Sequence, residues 1–87
     1  MEAKRIVGWN LRKLRVERGL SQERLALEAK IDRAYAGRIE RGQENVTITV
    51  LEALAQALDV PIARLFIEPE PGAGLPEALK PGRKNLR

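Results

Sequence analysis

The amino-acid sequence predicts an all-α fold in which five short helices form one compact domain and a flexible tail follows. Apolar residues recur at intervals of three and four along most of the chain, which is the period of a helix with one buried face. No segment alternates apolar and polar residues long enough to indicate a β-strand. The 87 residues, of which 44% are apolar, suffice for one small domain with a modest core.

The first helix is predicted from about Ala3 to Glu17. Gly19 follows closely and is a residue type that commonly ends helices. One stripe of the helix is apolar and is expected to face the core: Val7, Leu11 and Leu14. Trp9 lies on a different face, so we expect its ring to pack against another element of the fold.

The second and third helices are predicted between Ser21 and Gly42. Ser21 and Asp32 are suited to the N-cap positions, because a short side-chain oxygen can accept hydrogen bonds from the first backbone amides of a helix. The apolar residues that bring both helices to one core are Leu25, Ala26, Ala29, Ala36 and Ile39. Since only residues 30–32 connect the two helices, they are expected to cross steeply, as in a helix-turn-helix.

Two further helices are predicted after the loop formed by residues 43–46. Thr47 is a natural N-cap for the fourth helix. Its inward residues are expected to be Ile48, Leu51, Leu54, Ala55 and Leu58. Pro61 suits the first turn of a short fifth helix, because its missing backbone N–H is not needed there. The apolar residues of that helix are Ile62, Leu65 and Phe66.

Residues 68–87 differ in composition from the chain before them. Four of the five prolines and three of the seven glycines lie in this segment. We therefore predict a folded domain over residues 1–67 and a basic, disordered Pro/Gly-rich tail over residues 68–87. The alternative is a tail that becomes ordered on a partner, with Leu75 and Leu79 as its apolar anchors.

The absence of two residue types limits the chemistry available to the chain. Without cysteine there can be neither disulfides nor thiolate metal sites, and without histidine the usual general base and the His-containing zinc motifs are missing. We therefore expect no enzymatic activity, no bound metal and no cofactor. No apolar run reaches the roughly 20 residues of a membrane span, and no signal peptide is evident, so a cytoplasmic protein without a membrane partner is expected.

The charges are unevenly distributed along the chain. Residues 1–42 contain 11 Lys or Arg and 6 Asp or Glu, whereas residues 43–70 contain one Arg and five acids. The last 17 residues contain four basic groups and one acid. A basic amino-terminal half favours an approach to phosphates, with the acidic segment facing away from them. The alternative is an ordinary solvated helical surface.

Several separate segments resemble a known family. LRKLRVERGLSQERLA, AYAGRIERG, LEALAQALDV and ARLF occur in this order between Ile6 and Phe66 and resemble the repressor-like helix-turn-helix domain of phage repressors, Cro proteins and related bacterial regulators (XRE-like). The run IDRAYAGRIERGQENVTI is most similar to controller proteins of restriction-modification systems. The resemblance implies a transcriptional regulator that binds double-stranded DNA by sequence.

The resemblance also indicates which residues would contact bases. It places the third helix in the major groove of DNA, with Arg33, Ala34 and Arg38 facing the bases. Arginine can donate two hydrogen bonds to guanine O6 and N7, so both arginines are candidates for guanine recognition, and Ala34 could contact a thymine methyl group. A phosphate contact, which positions the protein without specifying a sequence, is the alternative for either arginine.

A second group of residues is expected near the DNA backbone: Gln22, Tyr35, Gln43, Asn45 and Thr47. Tyr35 could instead cover the edge of the core with its hydroxyl in water. For the last three residues, ordinary loop and cap roles are the alternative. In related repressors the positions of Arg15 and Glu40 are paired, so we expect a structural ion pair between these two residues.

One recognition helix covers few base pairs, so a homodimer on a palindromic operator is implied. The interface is expected at the fifth helix, through Ile62, Leu65, Phe66 and Ile67, with closure of the core as the alternative role. RNA polymerase is the further partner that such a regulator would block or recruit, and no small-molecule effector is evident. A different class of function is an antitoxin-like or adaptor protein whose tail binds a protein partner.

Two residues depart from the pattern of the related proteins. Lys30 stands in the turn where glycine is usual, so we expect a positive φ angle there. Gly37 lies within the third helix, where glycine weakens helix formation. Either a close approach of the DNA backbone or an accidental glycine at the surface would explain Gly37.

Overall fold

The computed structural model describes residues 2–74 of the chain. They form four α-helices, and a short 3₁₀ helix follows. The helices are α1 (Ala3–Glu17), α2 (Gln22–Ala29), α3 (Arg33–Glu40) and α4 (Ile48–Leu58), and the 3₁₀ helix is Ile62–Phe66. Within these residues there is no strand, and no helix is long and apolar enough to cross a membrane. The all-helical prediction is confirmed for the described part of the chain.

The helices begin where the sequence predicts. The Ser21 hydroxyl accepts from the backbone N–H of Arg24 at 3.0 Å, and the Thr47 hydroxyl accepts from the backbone N–H of Val50 at 3.1 Å. The Asp32 carboxylate accepts from the first backbone amides of α3. These bonds satisfy amides that have no partner inside their helix, so three short helices can begin at fixed positions.

The core lies where the apolar faces of all five helical elements meet. The largest fully buried side chains are Leu11, Leu25, Ile39, Leu54, Leu58 and Leu65. Val7 and Leu14 are buried as well, so the predicted apolar stripe of α1 is confirmed. Since α2 and α3 contribute to the same core as the longer helices, the whole motif has a single rigid support.

Ile48 does not face the core, and the prediction for this residue is wrong. Its side chain is 75% exposed. Side chains of a helix lean toward its amino terminus, so the side chain of the first residue of α4 extends past the end of the core. Val46 and Val50 pack against that end of the core instead.

The fifth helix is a 3₁₀ helix rather than an α-helix. It comprises five residues, and the backbone N–H of Arg64 donates to the Pro61 carbonyl three residues earlier at 2.9 Å. A segment this short gains little from α-helical bonding, and the tighter 3₁₀ turn still brings Leu65 into the core. Pro61 precedes the helix as its N-cap residue.

The turn between α2 and α3 has the predicted backbone conformation. Lys30 adopts φ 61°, and the backbone N–H of Ile31 donates to the Ala26 carbonyl at 2.9 Å. This pattern is a Schellman ending, which reverses the chain within three residues. The left-handed residue therefore ends α2 and lets the chain turn into α3.

The first residues of the predicted tail contact α1. The indole N–H of Trp9 donates to the Gly74 carbonyl at 3.1 Å, and the Ala73 backbone N–H donates to the Glu70 carbonyl at 2.9 Å. Residues 68–74 are therefore the element against which Trp9 packs. The prediction of a disordered tail concerns residues 75–87 as well, and these lie outside the described residues, as do the candidate anchors Leu75 and Leu79.

Candidate nucleic-acid interface

The helix α3 is fixed against α1 by a very close backbone contact at Gly8. A Cβ atom at this position would lie 2.5 Å from the Ile39 carbonyl oxygen and 2.6 Å from the Glu40 carbonyl oxygen. No larger residue fits without separating the two helices. Gly8 is therefore part of the support for the exposed face of α3, and the apolar periodicity of α1 gave no sign of this role.

A buried ion pair also joins α1 to α3. The Arg15 Nε donates to Glu40 Oε2 at 2.6 Å, and Arg15 Nη2 donates to Glu40 Oε1 at 3.1 Å. The two side chains are only 5% and 2% exposed. The structure thus brings together the two residues that the resemblance pairs. Arg15 Nη1 also donates to the Leu20 carbonyl at 2.8 Å, which extends the network to the chain before α2.

Gln22 links this network to the surface. Its amide nitrogen donates to Glu40 Oε1 at 3.0 Å, so the side chain is held in one orientation at the start of α2. The amide oxygen points toward α3, where it lies 3.5 Å from the position that a Cβ of Gly37 would occupy. Gln22 therefore has a structural contact in addition to its predicted place beside a phosphate.

A shallow depression of about 420 Å³ lies between α2 and α3. We call it the basic depression, and its lining residues are Gln22, Arg33, Ala34, Gly37, Arg38 and Arg41. It contains all three residues predicted to face the bases. Three guanidinium groups surround a surface with no acidic lining residue, which is an arrangement that attracts phosphates.

Arg41 lines the basic depression, although no role was predicted for it from the sequence. Its Nε donates to the Gln43 side-chain oxygen at 3.2 Å. The signal that would have identified it is the spacing of Arg33, Gly37 and Arg41, because residues four positions apart lie on one helix face.

The alternative of an accidental surface glycine at Gly37 is wrong. The residue is buried, and a Cβ there would lie 3.3 Å from Arg41 Nη1. Gln22 covers the same position from α2. The absence of a side chain therefore lets Gln22 and Arg41 approach each other over α3.

Arg38 is held by a residue that the sequence analysis did not identify. Its Nε donates to Glu44 Oε2 at 2.6 Å, and its guanidinium carbon lies 5.8 Å from the centroid of the Tyr35 ring. The side chains of Arg38 and Glu44 are 43% and 27% exposed. Glu44 follows the end of α3, where helical periodicity no longer predicts which residues are neighbours.

The other residues predicted near the DNA backbone lie at the edge of α3 and in the loop after it. Tyr35 is half-buried and packs against the core, which is the alternative that the sequence left open for its ring. Gln43, Asn45 and Thr47 are exposed. Gln43 accepts a hydrogen bond from Arg41, and Thr47 caps α4, so two of the three also have local contacts.

The predicted interface residues divide into two groups. Leu65 is fully buried, so its assignment to a dimer interface is wrong: its side chain fills the core beneath the 3₁₀ helix. Ile62 is partly buried against the same core. Phe66 and Ile67 are 50% and 52% exposed and remain available for an interface. The Asn10 amide fixes this segment by donating to the Leu65 and Ile67 carbonyls at 3.3 and 2.7 Å.

No group of three or more acidic residues in residues 2–74 is arranged to hold a metal ion. The candidate site is the basic depression, a surface of positive charge and hydrogen-bond donors. Its side chains can position and recognise an anionic polymer.

Proteins of similar sequence and proteins of similar structure indicate the same family for this chain. The chain matches the family described as helix-turn-helix over residues 11–65. The restriction-modification controller protein C.AhdI from Aeromonas hydrophila has a similar structure, with a TM-score of 0.71 and 46% identity over 72% of this chain and 96% of that chain. Control protein C.SmaI of Serratia marcescens is 40% identical over 66 residues, which are 76% of this chain and 79% of that protein.

A hypothetical transcription factor of Neisseria meningitidis serogroup B is 35% identical over 65 residues. The match covers 75% of this chain and 61% of that protein's length. The relatives named here are thus control proteins and a transcription factor, not enzymes. The matched segment includes all of α2, α3 and α4 together with the basic depression. The chain therefore belongs to the helix-turn-helix family of DNA-binding transcription regulators.

Proposed function

We propose that the protein is a sequence-specific regulator that binds a palindromic operator in double-stranded DNA as a homodimer. The observation that carries this proposal is the basic depression on the exposed face of α3, supported from behind by the buried Arg15–Glu40 pair. An α-helix fits the major groove, where each base pair presents a distinct pattern of donors and acceptors. The function is positional, because occupying an operator blocks or recruits RNA polymerase without any chemical step.

In this proposal the residues of α3 contact different parts of the DNA. Arg33 and Arg38 each donate to a guanine, and Ala34 contacts a thymine methyl group. Arg41, at the other end of the basic depression, is placed to contact a phosphate. The residues that align the backbone are Gln22, Tyr35, Gln43, Asn45 and Thr47.

The dimer is proposed to form through the exposed apolar residues at the end of the 3₁₀ helix. Phe66 and Ile67 are adjacent in the chain, and each is about half exposed. A second copy of the chain that covers them removes apolar surface from water, which favours association. The proposed mode of binding requires the two-fold axis to present two α3 helices to half-sites about 34–36 Å apart, one turn of DNA. Ile62 would contribute at the edge of this interface.

The likeness to control proteins supports a narrower proposal. C.AhdI and C.SmaI are named as control proteins, and C.AhdI as one of restriction-modification. We propose that this chain controls the genes of a restriction-modification system and acts in the cytoplasm.

Selection of bound sequences from random DNA, repeated at two salt concentrations, tests the proposal. We expect one palindrome with guanines in each half-site and an affinity that falls steeply with salt, because each phosphate contact releases counterions. A matched selection with R33A and R38A should lose guanines at defined positions.

Two results would contradict the proposal. The first is binding without a preferred sequence. The second is a stable complex with another protein that is lost when residues 68–87 are deleted, in the absence of sequence-specific binding to DNA. That second result would favour the adaptor function.

A further inference from the structure

We propose that Glu44 determines specificity, because it holds the Arg38 guanidinium in the orientation that recognises one guanine. The inference rests on the proposed function and deepens it. Glu44 follows α3 and returns toward it, so that its carboxylate oxygen accepts from Arg38 Nε at 2.6 Å. The contact joins residues on the two sides of the helix end and limits where the arginine can point.

The hydrogen bond to Glu44 is donated by Nε, the guanidinium nitrogen nearest the Arg38 backbone. Within residues 2–74, neither terminal nitrogen of Arg38 has a hydrogen-bond partner. Recognition of guanine requires two parallel N–H donors directed at O6 and N7. With Nε bound by the protein, Nη1 and Nη2 form the outer edge that remains available for this pair of bonds.

Burial and the neighbouring ring restrict Arg38 further. The Glu44 side chain is 27% exposed and that of Arg38 is 43% exposed, so the carboxylate has less open space around it than the guanidinium group has. The Tyr35 ring lies 5.8 Å from the guanidinium carbon, within the range of a cation–π contact. Ordering a free arginine costs up to about 30-fold in a binding constant, and the contact with Glu44 lowers that cost because it is made when the chain folds.

The charge of Glu44 is consistent with a role in specificity rather than in affinity. A carboxylate next to Arg38 repels phosphates and weakens binding to every DNA sequence. The same carboxylate improves recognition of the one sequence that presents a guanine to Arg38. Glu44 thus raises the ratio of specific to non-specific affinity, which is the quantity that selects an operator within a genome.

The experiment measures the affinities of wild type, R38A, E44A and E44D for the selected operator and for operators with each guanine pair replaced in turn. R38A identifies the base pair that Arg38 recognises, by a loss of discrimination of about 5- to 150-fold. E44A should lose about 3- to 30-fold of the discrimination at the same base pair. In the R38A background, E44A should cause no further loss there.

E44D separates orientation from charge. It keeps the carboxylate and withdraws it by one methylene group, so we expect a similar loss of discrimination without tighter binding to non-specific DNA. E52A removes an exposed carboxylate from α4 and is the matched control, which should leave discrimination unchanged. Circular dichroism melts check the fold of each variant, and E44D decides the question if E44A does not fold.

Full discrimination in E44A and E44D would overturn the inference, because Glu44 would then act only as a repelling charge. An R38A protein that is weaker by the same factor on every sequence would also overturn it, because Arg38 would then contact a phosphate. Both results leave operator binding intact. A wild-type protein that selects no sequence would instead refute the proposed function.

Discussion

The Glu40 carboxylate is bound by side chains from two other helices. Arg15 donates to both of its oxygens from α1, and Gln22 donates to one of them from α2. Because the ion pair is almost fully shielded from water, these hydrogen bonds must offset the desolvation of two charges. The same three residues therefore stabilise the fold and set the position of the Gln22 side chain beside the basic depression.

Glu40→Gln should reduce the free energy of unfolding by about 3–5 kcal/mol, because the Arg15 charge would remain buried without its counter-charge. Chemical denaturation followed by circular dichroism measures the change. Glu17→Gln is the control: it breaks the Lys13–Glu17 pair, whose side chains are 44% and 53% exposed, and should change stability by less than about 1 kcal/mol. An unchanged denaturation midpoint for Glu40→Gln would contradict a stabilising role of the pair.

Single residues were predictable where their role depends on the adjacent backbone. Ser21, Asp32 and Thr47 are recognised as caps because a cap needs only a short polar side chain before a helical segment. The positive φ of Lys30 was expected because this residue stands in the turn where related proteins usually have glycine. Glu44 was not predictable, because its contact with Arg38 depends on how the chain bends after α3.

At the scale of elements, the position of α3 depends on how closely it approaches α1. The contact at Gly8 is made by the backbone carbonyls of Ile39 and Glu40, which cannot rotate away as a side chain could. Helical periodicity predicted the apolar stripe of α1 correctly. It did not reveal this contact, because a glycine inside a helix weakens helix formation but does not show which element packs against it.

Gly8→Ala should destabilise the protein by about 1–3 kcal/mol, because the added methyl group forces α1 and α3 apart. A thermal melt compared with that of wild type gives the result. Gly74→Ala is the matched control, since a Cβ there would meet nothing within 4 Å. Equal melting temperatures for Gly8→Ala and Gly74→Ala would show that α1 and α3 can move apart without loss of stability.

The ends of elements were less predictable than their centres. The buried positions of α4 from Leu51 onward were predicted correctly, whereas Ile48 at its first turn is exposed. In the 3₁₀ helix, Leu65 was expected at an interface and lies in the core. Both errors occur because the apolar period shows which side of a helix is buried but not where the neighbouring helices stop.

At the scale of the whole molecule, the exposed apolar residues Phe66 and Ile67 lie beside the core residue Leu65. The proposed dimer would cover the first two without disturbing the third. Folding and dimerisation therefore depend on different side chains. Substitutions at the adjacent residues Leu65 and Phe66 can distinguish the two.

Phe66→Ala should raise the dissociation constant of the dimer at least about tenfold, because burial of one such side chain contributes about 1.5–3 kcal/mol. Sedimentation equilibrium gives this constant. Leu65→Ala should instead lower the free energy of unfolding by about 2–5 kcal/mol through a core cavity. Undiminished association of a well-folded Phe66→Ala protein would place the dimer interface elsewhere.

The hydrogen bond between Trp9 and Gly74 gives the molecule an optical reporter. Trp9 is the single tryptophan of the chain, so a change in tryptophan fluorescence would come from this one site. The residues around the indole include none of those that line the basic depression. A fluorescence change on adding DNA would therefore report a rearrangement around Trp9, where residues 68–74 and Ile67 of the proposed interface meet α1, and not that a base has reached the ring.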